Sequence, residues 1–163
     1  VSGANVRRCA RERIVCNNAS GRAVSKISVE VGGGSARALV AAARSNHVDI
    51  LAVEEATPST VAQLRAAGIE KLLPNLAGHP DPEGVNGVLV YSKVPLVDVR
   101  PVLLGHGGWQ IRVGGAAPFT FIAVHADAPL TNVERWRADL ATIATTISFT
   151  SSLRMLSGMR ARV

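Results

Sequence analysis

Apolar positions fall in short runs separated by glycine, proline and polar clusters between residues 24 and 147. VSKISVEV (24–31) alternates, with Ile27, Val29 and Val31 on one face, which predicts a strand. VGGGS breaks it. SARALVAAARSNH (35–47) then carries Leu39, Val40 and Ala43 at helical spacing behind Ser35, a hydroxyl N-cap. VDILAV (48–53) is a continuous apolar run rich in β-branched residues, as expected of a strand covered on both faces. Thr57 followed by Pro58 marks a helix start, because the hydroxyl caps and proline suits the first helical position. That helix runs through Val61 and Leu64 and stops at Gly68.

This strand–helix–strand–helix order is a layered α/β beginning. The second half changes character. HPDPEGVNG (79–87) is a loop dense in turn residues. GVLVYS (87–92), PLVDVRPVLL (95–104), GWQIRV (108–113) and PFTFIAVH (118–125) follow, and together predict an antiparallel meander. TNVERWRADLATIATTI (131–147) reads as a closing helix with Val133, Trp136, Leu140 and Ile143 on one stripe. Residues 1–23 and 148–163 keep no period and read as irregular, basic tails around a patterned domain over 24–147.

Composition sharpens this picture in three ways. At 163 residues the chain suits one domain with a real core. No apolar run approaches the ~20 residues of a membrane span, and the basic start lacks an apolar stretch of the secretory kind. No membrane segment is therefore expected, and the cytoplasm is the default compartment. The net charge of +6 sits at the ends. Residues 1–26 hold six basic residues and one acid, and residues 154–163 hold three arginines and no acid, so the middle is close to neutral. Basic arms can bind phosphate backbones, but no aromatics are interleaved for base stacking. Cys9 and Cys16 match no zinc spacing and read as free thiols.

The candidate chemistry lies at two strand ends. Successive side chains on a strand point to opposite faces, so one of Glu54 and Glu55 can serve the crevice beyond the strand while the other is left to solvent. The competing reading is a wet strand end before a helix whose dipole favours acids. His125 follows Phe119, Phe121 and Ala123 on one face, where a histidine can move a proton near neutral pH or can simply be a hydrogen-bonded strand end. The glycines of VGGGSAR resemble a phosphate cradle. However, Arg37 stands where the dinucleotide fingerprint needs glycine and no Gly-Lys-Ser/Thr follows, so a tight turn is the better reading. A serine-hydrolase elbow is missing. His47, His79 and His106 have no metal-ligand spacing and read as surface or loop residues.

The order VSKISVEVGGG, VDILAVEE, GVNGVLVYSKVPL, FTFIAVHADAP resembles the first part of the endonuclease/exonuclease/phosphatase superfamily, which includes pancreatic-type deoxyribonuclease and apurinic endonucleases. Glu55 matches that family's metal-binding glutamate, Ser92-Lys93-Val94-Pro95-Leu96 its strand ending, and His125 its active-site histidine. Glu30 stands where the family has asparagine and would lie on the metal side. The resemblance implies an α/β fold, a two-sheet sandwich with helices outside, of which this chain carries the first half or so. It implies a magnesium or manganese ion at Glu55 and Glu30, a phosphate ester or nucleic acid as substrate, and His125 as proton donor or phosphate stabiliser.

The family continues with a strand ending Gly-Asp-x-Asn, a later aspartate and an Asp-His pair, for which SFTSSLRMLSGMRARV offers no counterpart. The expectation is a truncated metal-dependent phosphoesterase. Its lone sheet would expose an apolar inner face and need a partner to cover it. The rival is a non-catalytic remnant or interaction module. The abrupt arginine-rich ends suit either an out-of-frame coding region or genuine basic arms.

Overall fold

The structure, a computed structural model, describes residues 14–17, 23–28 and 35–159. It opens with β1 (Ile14–Asn17), antiparallel to β2 (Ala23–Ser28). β1 lies inside the stretch expected to be irregular. Four residues are too few to display an alternation, and the pairing with β2 is what makes them a strand. Helix α1 (Ala36–Ser45) begins where the Ser35 hydroxyl accepts the Ala38 N–H. It ends as His47 turns left-handed (φ 50°) and the Val48 N–H reaches the Ala43 carbonyl.

β3 (Ile50–Glu54) is buried at every residue. In α2 (Pro58–Ala66) the Thr57 hydroxyl accepts the Thr60 N–H and the Thr60 hydroxyl accepts the Thr57 N–H, a reciprocal cap. Gly68, at φ 86°, turns the chain into the short α3 (Ile69–Leu72).

β4 (Asn75–His79), β5 (Val88–Ser92), β6 (Leu96–Pro101), β7 (Gly108–Val113) and β8 (Phe119–Val124) complete the strands, and α4 (Val133–Met159) follows. Among the described residues the order β1-β2-β3-β5-β4 forms a five-stranded sheet, with β2 and β3 parallel and the other pairs antiparallel. β6-β7-β8 form a separate antiparallel sheet. The expected four-strand meander is therefore split. VLVYS is buried along its whole length, because β3 and β4 pair its two edges while the helices and the second sheet cover its two faces. β7 turns Trp109, Ile111 and Val113 toward the first sheet and Gln110 and Arg112 away from it, and β8 turns Phe119, Phe121 and Ala123 inward.

The two sheets face each other through Ile50, Ala52, Val88 and Val90 on one side and Ile111, Val113 and Ala123 on the other. This corrects the expected lone sheet with an open inner face, since β6–β8 supply the cover themselves. Trp109 stitches the layers by donating its indole N–H to the Val88 carbonyl at 2.9 Å. Gly78, at φ 89°, makes room for that contact, because a Cβ there would run into the Val88 oxygen and the indole. The outer face of the first sheet packs under α1, α2 and α3 through Leu39, Val40, Leu51, Val53, Leu64, Ile69 and Leu89.

Helix α4 differs from expectation twice. It continues past 147 to Met159, since residues 148–157 contain neither proline nor glycine to stop it. Its predicted stripe also stays largely open, with Val133 and Leu140 exposed, whereas among the described side chains of α4 the buried one is Asp139. No helix among the described residues is long and apolar enough to cross a membrane.

Candidate functional site

Alternation along β3 aims Ile50 and Ala52 at the second sheet and Leu51 and Val53 at the helices. Continued for two residues, it would send Glu55 toward the helices. Glu55 instead takes a left-handed backbone (φ 57°), a conformation that costs a non-glycine residue about 1–2 kcal/mol. That break in the pattern redirects the side chain. Its Oε1 lies 3.6 Å from Nε2 of His125, which arrives from the other sheet at the end of β8. The structure thus brings together the two residues singled out from their strand ends. Neither carboxylate is left to solvent as one of the pair was expected to be, since Glu55 is only partly exposed and Glu54 is buried at 3% exposure. Glu30 lies outside the described residues.

The turn-rich loop between β4 and β5 fastens both partners. Ala56 donates to the Gly87 carbonyl at 3.0 Å, and Asp81 N–H donates to the Ala56 carbonyl at 2.9 Å. Gly87 is required here, because a Cβ would collide with the Ala56 carbonyl. The Asp81 carboxylate accepts the Asn86 N–H, closing the loop on itself. Two residues before Gly87, the Val85 carbonyl meets Nδ1 of His125 at 2.9 Å. A carbonyl can only accept, so Nδ1 carries a hydrogen and Nε2 is the atom left facing Glu55. A neutral ring would aim a lone pair at the carboxylate, whereas a proton on Nε2 makes the contact an ion pair.

Three further residues, none of them selected from the sequence, surround this pair. The His106 ring lies against His125, with centroids 5.0 Å apart and planes tilted by 36°. Its Nε2 is 3.5 Å from Oδ1 of Asp127. Asp127 is buried and accepts the Thr131 hydroxyl at 2.9 Å and the Ala128 N–H at 2.8 Å. The Thr131 hydrogen bond foremost, then the Ala128 N–H and His106, hold its carboxyl below the usual carboxylate range against the opposing effect of burial.

Asp139 of α4 gives one oxygen to the Gly105 N–H and the other to the Asp127 N–H, each at 2.9 Å. His106 lies in a loop, as its sequence reading has it, and the structure adds the neighbours that this loop brings to it. Spacing could not reveal them, because they come from β8 and α4. Asp139 did leave a signal. It stands in phase with Trp136 and Ile143, an acid inside an apolar stripe.

Among the described residues no group of three histidine, cysteine, aspartate or glutamate side chains gathers as a metal site. What Glu55 offers is a partly exposed carboxylate, the hard oxygen donor that magnesium takes. One or two such carboxylates suffice for an ion that keeps its waters and shares substrate phosphate, so the donor fits in kind.

No curated protein matches the chain, and no solved structure does. The model of the Endonuclease/Exonuclease/phosphatase family matches residues 5–152. That match spans most of the chain, including the strand ends that carry Glu55 and His125, and the chain belongs to this family, whose members include nucleases and phosphatases that generally use divalent metals.

Proposed function

We propose that the chain is a divalent-metal-dependent phosphoesterase that hydrolyses a phosphodiester or phosphomonoester at the Glu55–His125 rim. The observation that carries this reading is the 3.6 Å approach of Glu55 Oε1 to His125 Nε2 across two different sheets. Glu55 would hold a magnesium or manganese ion, with Glu30 as the expected second carboxylate. The ion, when bound, supplies positive charge against the phosphate and lowers the pKa of an attacking water.

The rest is done by the chain. The Val85 carbonyl fixes the His125 tautomer, so Nε2 is the atom that meets substrate. A proton held there can be given to the leaving oxygen or can stabilise charge developing on the phosphoryl group. Glu55, partly exposed beside it, presents its carboxylate on the same rim.

The test is hydrolysis of plasmid DNA and of a generic phosphate ester across a magnesium and manganese titration. Wild type is compared with Glu55→Ala and His125→Ala. Each substitution is expected to lower kcat by roughly 10²- to 10⁴-fold. Turnover that persists in both variants, or a wild-type protein inert at every metal concentration, would refute the reading.

A further inference from the structure

Among the described residues the His125 ring is held by one hydrogen bond, Nδ1 to the Val85 carbonyl. One such bond sets the direction of Nδ1 but leaves the ring free to rock about the N–O axis, and rocking would swing Nε2 away from Glu55. A wall against the ring face removes that freedom. The His106 ring is such a wall, 5.0 Å away between centroids.

His106 is itself held on several sides. The preceding Gly105 donates to Asp139, and the following Gly107, at φ 87°, accepts the His125 backbone N–H at 3.1 Å. The imidazole faces Oδ1 of the buried Asp127, whose own backbone N–H is fastened to Asp139. A histidine serving merely to fill a glycine loop would need none of these constraints.

We propose that His106, oriented by Asp127, is a positioning residue that holds the His125 ring with Nε2 directed at Glu55. This rests on the Glu55–His125 reading of the site for its meaning in turnover, though not for its geometry. His106 touches no reacting atom in this scheme and acts through its neighbour. The contact with His125 is ring to ring, so an aromatic ring of another kind should keep much of the effect.

The experiment uses the full chain with His106→Ala, His106→Phe and Asp127→Asn beside wild type. It reads the His125 imidazole nitrogens by NMR, the thermal midpoint, and kcat and KM on the phosphate ester that wild type hydrolyses best. In wild type the His125 signals are expected to report one tautomer, with hydrogen on Nδ1. His106→Ala should broaden and shift the His125 ring signals as the ring rocks, with the hydrogen staying on Nδ1, and lower kcat roughly ten- to a hundredfold with KM little changed. His106→Phe should restore most of both, and Asp127→Asn should fall between.

Unchanged His125 signals in His106→Ala would overturn the proposal. So would a Phe variant that loses as much as the Ala variant while folding as stably as wild type. If the alanine variant does not fold, the Phe and Asn variants decide by the same two readouts. Should wild type hydrolyse no ester at all, the functional reading falls, and the ring spectrum alone still supports or overturns the positioning.

Discussion

The two halves of the site are held in place by different forces. Glu55 leaves β3, whose five residues are all buried between the helix layer and the second sheet. His125 leaves β8, where Ala123 is buried and the other residues are half exposed. Its position depends on hydrogen bonds to the Val85 and Gly107 carbonyls and, through the His106 loop, on Asp139. Apolar burial is strong and non-directional, whereas each hydrogen bond is modest in net energy but strict in geometry. The carboxylate half should therefore fail when the fold fails. The imidazole half can lose its geometry while the fold survives.

The largest expected effect probes the buried half. Leu51 is fully buried among Leu39, Val61, Leu64 and Leu89 in the helix-side core. Leu51→Ala removes its branched end and leaves a cavity, at a cost of about 3 kcal/mol in chemical denaturation. The folded fraction should still show the wild-type His125 ring signals. A cost below about 1 kcal/mol would mean that β3 is not fixed by burial, and the contrast between the halves would go with it.

Asp139→Ala probes the other half. It removes the acceptor for two backbone N–H groups, Gly105 and Asp127. Water can reach part of this region, so the expected loss of stability is about 2 kcal/mol, smaller than for the core leucine. Activity per folded molecule should nevertheless fall, because the loop carrying His106 and the turn carrying Asp127 come loose together. Retained activity in a destabilised Asp139→Ala would show that the two halves respond alike.

This division also explains what could be read from the sequence. Strands β3, β5, β7 and β8 and the Thr57–Pro58 helix start are written in local pattern, and the structure has them within a residue or two. β4 is not, because Asn75–His79 (NLAGH) lacks β-branched residues and is a strand by virtue of pairing with β5. The allocation of β5 to one sheet and β6–β8 to the other is likewise a tertiary decision. Glu55 and His125 stood out because each ends a patterned strand. His106 and Asp127 lie in loops, and their partners are distant in sequence, so no window of residues holds the information. The left-handed turn at Glu55 was equally hidden, since glutamate gives no sign of it.

The smallest effect concerns a polar atom in the buried half. Tyr91 is fully buried beside Leu51 and Leu89, and its hydroxyl has no hydrogen-bond partner among the described residues. Burial pushes its pKa up, as expected for a phenol shielded from water. A hydroxyl desolvated without a partner opposes folding, so Tyr91→Phe should be neutral or stabilising by up to about 1 kcal/mol in the denaturation midpoint. The ring, which supplies the apolar contact, is unchanged. Because Tyr91 faces the helices rather than the second sheet, the His125 ring signals and any ester hydrolysis should stay at wild-type values. A loss of more than about 1 kcal/mol would mean that the hydroxyl has a partner after all, and that the helix-side layer, like the imidazole half, is held partly by directional bonds.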